Sequence, residues 1–197
     1  MPRSKSLTLS TVPNLPEIQP GDDLPVLIMN ALAQDEMSVE DGDIFVIAQK
    51  IVSKSEGRLV NLSTVIPSPE ALELAEQIEK RPELVELILQ ESNEVLRTRP
   101  GTIIVEHKSG FVCANAGIDH SNVRGPWGEP EDWVLLLPED ADYSARVLRS
   151  GLERLSGKRI GVLIIDSHGR AWRNGIVGTS IGLAGIAALV DMRGQPD

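Results

Sequence analysis

The sequence predicts an α+β fold laid down as one continuous unit, and three observations carry that prediction. Two segments, SPEALELAEQIEK and RPELVELILQESNEVL, each place a proline at the first helical position, with apolar residues at helical spacing behind it. Short β-branched or continuously apolar runs at 44–48, 102–106 and 159–165 read as strands. No repeat, low-complexity tract or linker divides the 197 residues, which suffice for one sizeable core.

Taken in order, the elements have local reasons. NLPEIQPGDDL is turn-rich, and Asp22 or Asp23 caps a helix over 24–32, with Pro25 tolerated in its first turn. EDGDIFVIAQKIVSKSEGRLV reads as a turn and two strands, the first a buried run at 44–48. Ser68 caps the helix that Pro69 opens, and Pro82 opens the next one. Strands follow at 102–106 and 111–115, the second entered through an SG turn. Residues 121–132 are rich in Gly, Pro and charge and form a loop. A strand at 133–137 runs into LPEDAD, which ends it and caps a helix over 144–155 that SGK breaks. The stretch 159–165 is the clearest buried strand, with Asp166 at its end. GIVGTSIGLAGIAALVD is apolar with small residues at three- and four-residue steps, as in a closely packed helix.

Composition narrows the function. Aromatic residues make up 3%, so the core is mostly aliphatic. A formal net charge of -10 disfavours nucleic acid or an anionic membrane as the main partner, while a bound metal could still invert the local charge for a phosphorylated ligand. The single cysteine, Cys113, permits no internal disulfide and fits a reducing cytoplasm; inside an apolar strand it reads as a small core residue. MPRSKSLTLSTVPNLP lacks the apolar region of a signal peptide, and no stretch is long and apolar enough to span a membrane. The expected location is cytoplasmic.

Two acids share one pattern. Asp119 in AGIDHSN and Asp166 in IIDSHGR each follow a strand and precede hydroxyl or amide residues. Carboxylates so placed suit hard cations such as Mg²⁺ or Mn²⁺, which take oxygen ligands and share them with phosphates. Ser167 would add a hydroxyl oxygen. The competing explanation is a pair of Asx turns satisfying local N–H groups. His120 and His168 lack metal-binding spacing and read as exposed loop histidines, and His107 has no evident role. In strand alternation Lys50, Lys54 and Glu56 fall on one face, either solvated or aimed at a phosphate. Arg170 and Arg173 flank Trp172 and suit a carboxylate or phosphate. GTSIGLAG is neither a P-loop nor a dinucleotide fingerprint.

Five blocks in order go further: GDIFVIAQKIVSKSEGRLV, VELILQES, FVCANAGIDHSNV, LLLPEDADYSARVLR and GKRIGVLIIDSHGRAWRNGIVGTSIGLAGI. From about Leu15 onward the chain resembles the coenzyme F420-0:L-glutamate ligases, also called F420-0:γ-glutamyl ligases. The resemblance implies an α+β fold of mixed and antiparallel sheets with packed helices, in an intertwined homodimer. It implies GTP-dependent addition of L-glutamate to coenzyme F420-0 through a γ-glutamyl linkage, with Mg²⁺ or Mn²⁺ and a possible contribution from K⁺. It carries over Asp119 and Asp166 as catalytic metal-binding acids and Ser167 as a metal ligand where the family usually has threonine. Leu15, Pro16, Glu17, Ile18, Gln49, Lys54 and Asn122 become nucleotide contacts, with Glu17 a departure from the family's LPLI-type segment. The family continues beyond DMRGQPD with more nucleotide- and metal-binding residues. The resemblance therefore predicts a single ligase-type domain over 1–197 without that segment, either part of a longer protein or a short relative. A non-catalytic binder of nucleotide or deazaflavin and a metal-dependent phosphohydrolase are the alternatives.

Overall fold

The computed structural model describes residues 6–121, 123–169 and 174–194. Three sheets form among them. β1 (Ile44–Ala48), β7 (Gly161–Gly169) and β8 (Ile176–Ala184) make the first, β2 (Leu59–Asn61) and β6 (Trp133–Leu135) the second, and β3 (Ser92–Arg99), β4 (Thr102–His107) and β5 (Val112–Ala114) the third. β1 runs parallel to β7 with Ala48 opposite Ile165; every other pairing between these strands is antiparallel. The mixed α+β architecture is the one the sequence predicts.

Helices cover the sheets by burying aliphatic side chains. α1 (Leu24–Gln34) and α5 (Ala141–Ser156) lie on the first sheet, where Leu24, Ile28, Leu32, Leu148 and Leu152 meet Ile47, Val162, Ile164 and Ala184. Asp23 Oδ1 accepts from Val26 N at 3.1 Å to start α1, and Asp140 Oδ1 accepts from Tyr143 N at 2.8 Å to start α5. Gly157, at φ +69°, ends α5 in the left-handed conformation that favours glycine. α3 (Pro69–Ile78) and α4 (Pro82–Gln90) cover the third sheet, burying Ala71, Ala75, Ile78, Val85 and Ile88 against Ile103, Val105 and Cys113. Ser68 Oγ caps α3 through Ala71 N at 3.2 Å.

Five expectations are corrected. Residues after Ala48 do not form a second strand but the helix α2 (Gln49–Ser55). Its burial repeats at helical spacing, with Gln49, Val52 and Ser53 inside. The helix opened by Pro82 stops at Gln90, and Ser92–Arg99 is a strand that doubles back through Gly101 (φ +78°) to pair with β4. Asp166 is not at the end of its strand, because β7 continues to Gly169. α5 begins at Ala141 rather than at 144. The Gly-rich stretch is the strand β8, not a helix: Ile176, Val177, Thr179 and Ile181 are β-branched. Its small residues still serve close packing. A Cβ on Gly182 would sit 2.3 Å from the carbonyl oxygen of Ala141, so β8 presses directly on the first turn of α5.

Candidate active site

The site is built where β1 gives way to α2. Because Ala48 pairs with Ile165, the first turn of α2 emerges beside Asp166 on the neighbouring strand. On this short helix Lys50 and Lys54 are four residues apart and share a face, while Gln49 and Ser53 share a buried one. The buried pair is satisfied internally: Ser53 Oγ donates to Gln49 Oε1 at 2.9 Å. The two lysines share the adjacent face, with the Lys50 side chain 30% exposed and that of Lys54 only 13%.

Lys50 reaches the loop that holds Asp119. β5 leads into a 3-10 turn over Asn115–Gly117 in which Asn115 (φ 50°) and Ala116 (φ 53°) are both left-handed. Gly117 follows at φ +68°, where an added Cβ would lie 2.6 Å from Leu137 Cδ1. The loop is bare because backbone must pass this close to Leu137, just beyond β6. Asp119 then forms a bridge with Leu135, N to O at 2.9 Å and O to N at 2.8 Å, which fixes its backbone.

Its carboxylate is fully engaged by neighbours. Oδ1 accepts from Ser121 N and from Ser121 Oγ, each at 2.8 Å. Oδ2 lies 2.7 Å from Lys50 Nζ, and the same ammonium donates to Ser121 O at 2.8 Å. Burial pushes the carboxyl pKa up, but the hydrogen bonds from Lys50 and Ser121 and the charge of Lys50 outweigh it, so Asp119 is held below its ordinary range. Asp119 therefore stands ionised at neutral pH. The Asx turn with Ser121 is present, so the bland sequence explanation is correct locally, but it uses only one oxygen. Downstream, His120 Nε2 donates to Glu131 O at 2.7 Å and ties the far end of the 121–132 loop back to its start.

Asp166 occupies the middle of β7, opposite Thr179, and Ser167 N donates to its Oδ1 at 2.7 Å. Across from it lies Cys113 of β5. Burial first, and the Asp166 charge second, push that thiol up to about 11. The strand beside β7 here, β5, leads from Cys113 to Asp119 six residues later. Cys113 is buried and protonated, as a core residue should be.

The remaining site candidates fall around this centre. Lys54 Nζ approaches Glu17 Oε1 at 3.8 Å, which brings the N-terminal segment to α2; Gly21 N donating to Ser55 O at 2.8 Å holds it there. Leu15 packs against the core, Pro16 and Glu17 are exposed, and Ile18 is buried, so Ile18 has only its backbone to offer a ligand. The buried side chain of Gln49 likewise points inward, to Ser53. Ser167 is exposed on β7. Asn122, Arg170, Trp172 and Arg173 lie outside the described residues, as does the side chain of His168. Arg58, which was given no role by the sequence, joins Glu91 at 2.7 Å and Leu137 O at 2.8 Å; it braces β2 from within.

The donors suit a hard divalent cation in kind: two carboxylates, one of them held ionised, and a neighbouring hydroxyl, all oxygen. Among the described residues no group of three or more His, Cys, Asp or Glu gathers as a metal cluster, so these two acids would have to share a cation with oxygens from a ligand. A broad cleft of about 1120 Å³ lies elsewhere, between Leu24, Val52, Glu56, Tyr143 and Gly151, and is lined by neither lysine and neither acid. Chemistry, not cleft size, marks the site.

Sequence reasoning missed Lys50 as the partner of Asp119 and Ser121 as its second anchor. The Asp-x-Ser spacing was the available signal for Ser121. For Lys50 the signal was hidden by reading α2 as a strand.

An α+β protein with a lysine-held aspartate between two sheets is the class that fold and site define. The comparisons make it particular. The model of the F420-0:Gamma-glutamyl ligase family matches residues 13–197. A coenzyme F420:L-glutamate ligase of Methanopyrus kandleri is 44% identical over 192 residues, covering 98% of this chain and 72% of that protein. Its namesake from Methanothermobacter thermautotrophicus is 43% identical over 191 residues, 97% of this chain and 73% of the relative. The Methanocaldococcus jannaschii protein of that name is 46% identical over 160 residues, which cover 81% of this chain and 61% of the relative. The chain belongs to the F420-0:gamma-glutamyl ligase family.

Proposed function

We propose that this protein is a ligase of coenzyme F420 biosynthesis that joins L-glutamate to coenzyme F420-0 with GTP as the energy source. The observation that carries the reading is the family membership over nearly the whole chain, together with relatives named for that ligation. The ionised, lysine-paired carboxylate of Asp119 supports it, because it suits a site for a metal and a polyphosphate.

In this reading the carboxylate of F420-0 attacks the γ-phosphorus of GTP, breaking the bond to the β-phosphate oxygen and releasing GDP. The amine of L-glutamate then attacks the acyl carbon, expels inorganic phosphate and loses a proton as the amide forms. Bound Mg²⁺ or Mn²⁺ supplies charge neutralisation for the triphosphate. Asp119 and Asp166 would hold it, with Ser167 as a further oxygen. Lys54, four residues beyond Lys50 on the same helical face, offers its ammonium to phosphate oxygens. The segment of Leu15, Pro16, Glu17 and Ile18, drawn to α2 through Glu17, supplies backbone groups to the nucleotide. Gln49 positions α2 from inside, and Asn122 completes the nucleotide contacts. Arg170 and Arg173 are proposed for a substrate carboxylate.

The protein is further proposed to act as a cytoplasmic homodimer, with potassium as an auxiliary cation and small molecules as its partners. The outer face of the first sheet supports pairing, since Ile44 and Val46 are half-exposed there. Among the described residues no helix is long and apolar enough to cross a membrane.

The test is incubation with GTP, Mn²⁺, L-glutamate and F420-0, read by mass spectrometry beside Asp119→Ala and Asp166→Ala. The reading expects product heavier by glutamate units, abolished in both variants. Phosphate release with no glutamate consumed would overturn it in favour of a phosphohydrolase, and nucleotide binding without either product would leave a non-catalytic binder.

A further inference from the structure

We propose that Lys50 is the resident cation of Asp119 and has to leave it before a divalent ion can bind there, so that metal entry and lysine release are one exchange. This rests on the reading of Asp119 as a metal ligand. Asp119 Oδ1 already accepts two hydrogen bonds from Ser121, so Oδ2 is the oxygen that remains for a metal, and Lys50 Nζ occupies it at 2.7 Å. A divalent cation coordinates a carboxylate oxygen at roughly 2.0–2.2 Å. Ammonium and metal on that one oxygen would be two like charges within contact range, sharing one carboxylate charge.

The lysine is placed to yield. Its side chain is 30% exposed and ends a flexible four-carbon stem, unlike the fixed Asx turn on the other oxygen. Its other holds are both on Ser121: a hydrogen bond to the backbone carbonyl at 2.8 Å and a long one to Oγ at 3.5 Å, and that hydroxyl already donates to Asp119 Oδ1. Once displaced, the ammonium needs another anion. Metal arriving with its own anionic ligand supplies one, and metal arriving alone does not. Lys50 therefore makes Asp119 a poor site for a bare ion and a good one for an ion already bound to an anion. It acts as a positioning residue whose chemistry is competition.

The experiment is Mn²⁺ binding without nucleotide, followed by the electron paramagnetic resonance signal of free Mn²⁺. Lys50→Gln keeps an N–H donor for Ser121 O and removes the charge. It is expected to bind Mn²⁺ on the order of tenfold more tightly than the unaltered protein, the scale on which an adjacent opposite charge shifts a carboxylate's affinity for a proton. Lys50→Arg, which retains the cation, should match the unaltered protein, and so should Lys108→Met, which removes an exposed lysine in the turn after β4. Equal or weaker binding by Lys50→Gln overturns the exchange. Asp119→Asn separates the two failures. If it abolishes Mn²⁺ binding while Lys50→Gln fails to strengthen it, only the exchange falls. If Asp119→Asn leaves binding unchanged, Asp119 is not the metal ligand and both ideas fall together.

Discussion

Asp119 and Asp166 look alike in the sequence and are treated differently by the fold. Each follows an apolar run and is followed within two residues by a serine. Asp119 sits in a loop whose path is forced by left-handed residues and a bridge to β6, and its carboxylate is claimed by Lys50 and Ser121. Asp166 sits inside a nine-residue strand, with backbone fixed by pairing to β8 and its charge near enough to raise the Cys113 thiol. The difference teaches that one acid is held in a loop by a lysine and a serine, while the backbone of the other is set by sheet register. Damage to a single lysine should disturb the first, and damage to sheet packing the second.

The largest expected effect treats the two acids alike. Asp119→Asn and Asp166→Asn should each lower glutamate ligation by about a thousandfold, as loss of charge stabilisation at a reacting phosphate does. A loss confined to Asp119→Asn, measured as product formed per minute, would reduce Asp166 to a structural residue. Next, Gly182→Ala should separate them. The new Cβ meets the backbone of Ala141, which cannot easily move, so the variant should lose roughly 3 kcal/mol in urea unfolding. Its damage should fall on the β7–β8 pairing that carries Asp166 and leave the Lys50–Asp119 pair in place.

Cys113 reports on the Asp166 side. With its thiol pushed up to about 11, alkylation of the native protein at pH 8 should be roughly a hundredfold slower than that of a free thiol. Asp166→Asn should quicken it modestly, because burial is the larger cause and remains. The smallest effect concerns acid stability. The Asp119 pKa is lower in the folded protein than in the unfolded chain, so its contribution is complete above the unfolded value of about 3.9 and is lost as pH falls through the folded one. Unfolding free energies from urea at pH 7 and pH 3 should therefore differ less in Lys50→Gln than in the unaltered protein. An equal difference would show that Lys50 does not hold the carboxylate.

Much of the fold was legible because its signals are local. Pro69, Pro82 and the Asp and Ser caps mark the helix starts here, and the apolar run at Ile44–Ala48 needs no context. What was not legible depends on tertiary packing. α2 has seven residues, too few for helical periodicity to show, and its Ile and Val imitate a strand. β3 is a largely exposed edge strand, and its register shifts against β4 spoil any alternation that could have announced it. β8 has glycines that suggest helix packing until Ala141 is seen against Gly182. In the site, the two acids were legible as types. Their difference was not, because Lys50 lies sixty-nine residues from Asp119 in the chain and meets it only through α2.

The most direct test of the account is oxygen transfer. F420-0 carrying ¹⁸O in its carboxylate, incubated with GTP, Mn²⁺ and L-glutamate, should give phosphate bearing one ¹⁸O and an amide product that keeps the other. Labelled phosphate would establish that the substrate carboxylate attacks the nucleotide. Unlabelled phosphate would mean that water is the attacking group, and the ligase account would be wrong.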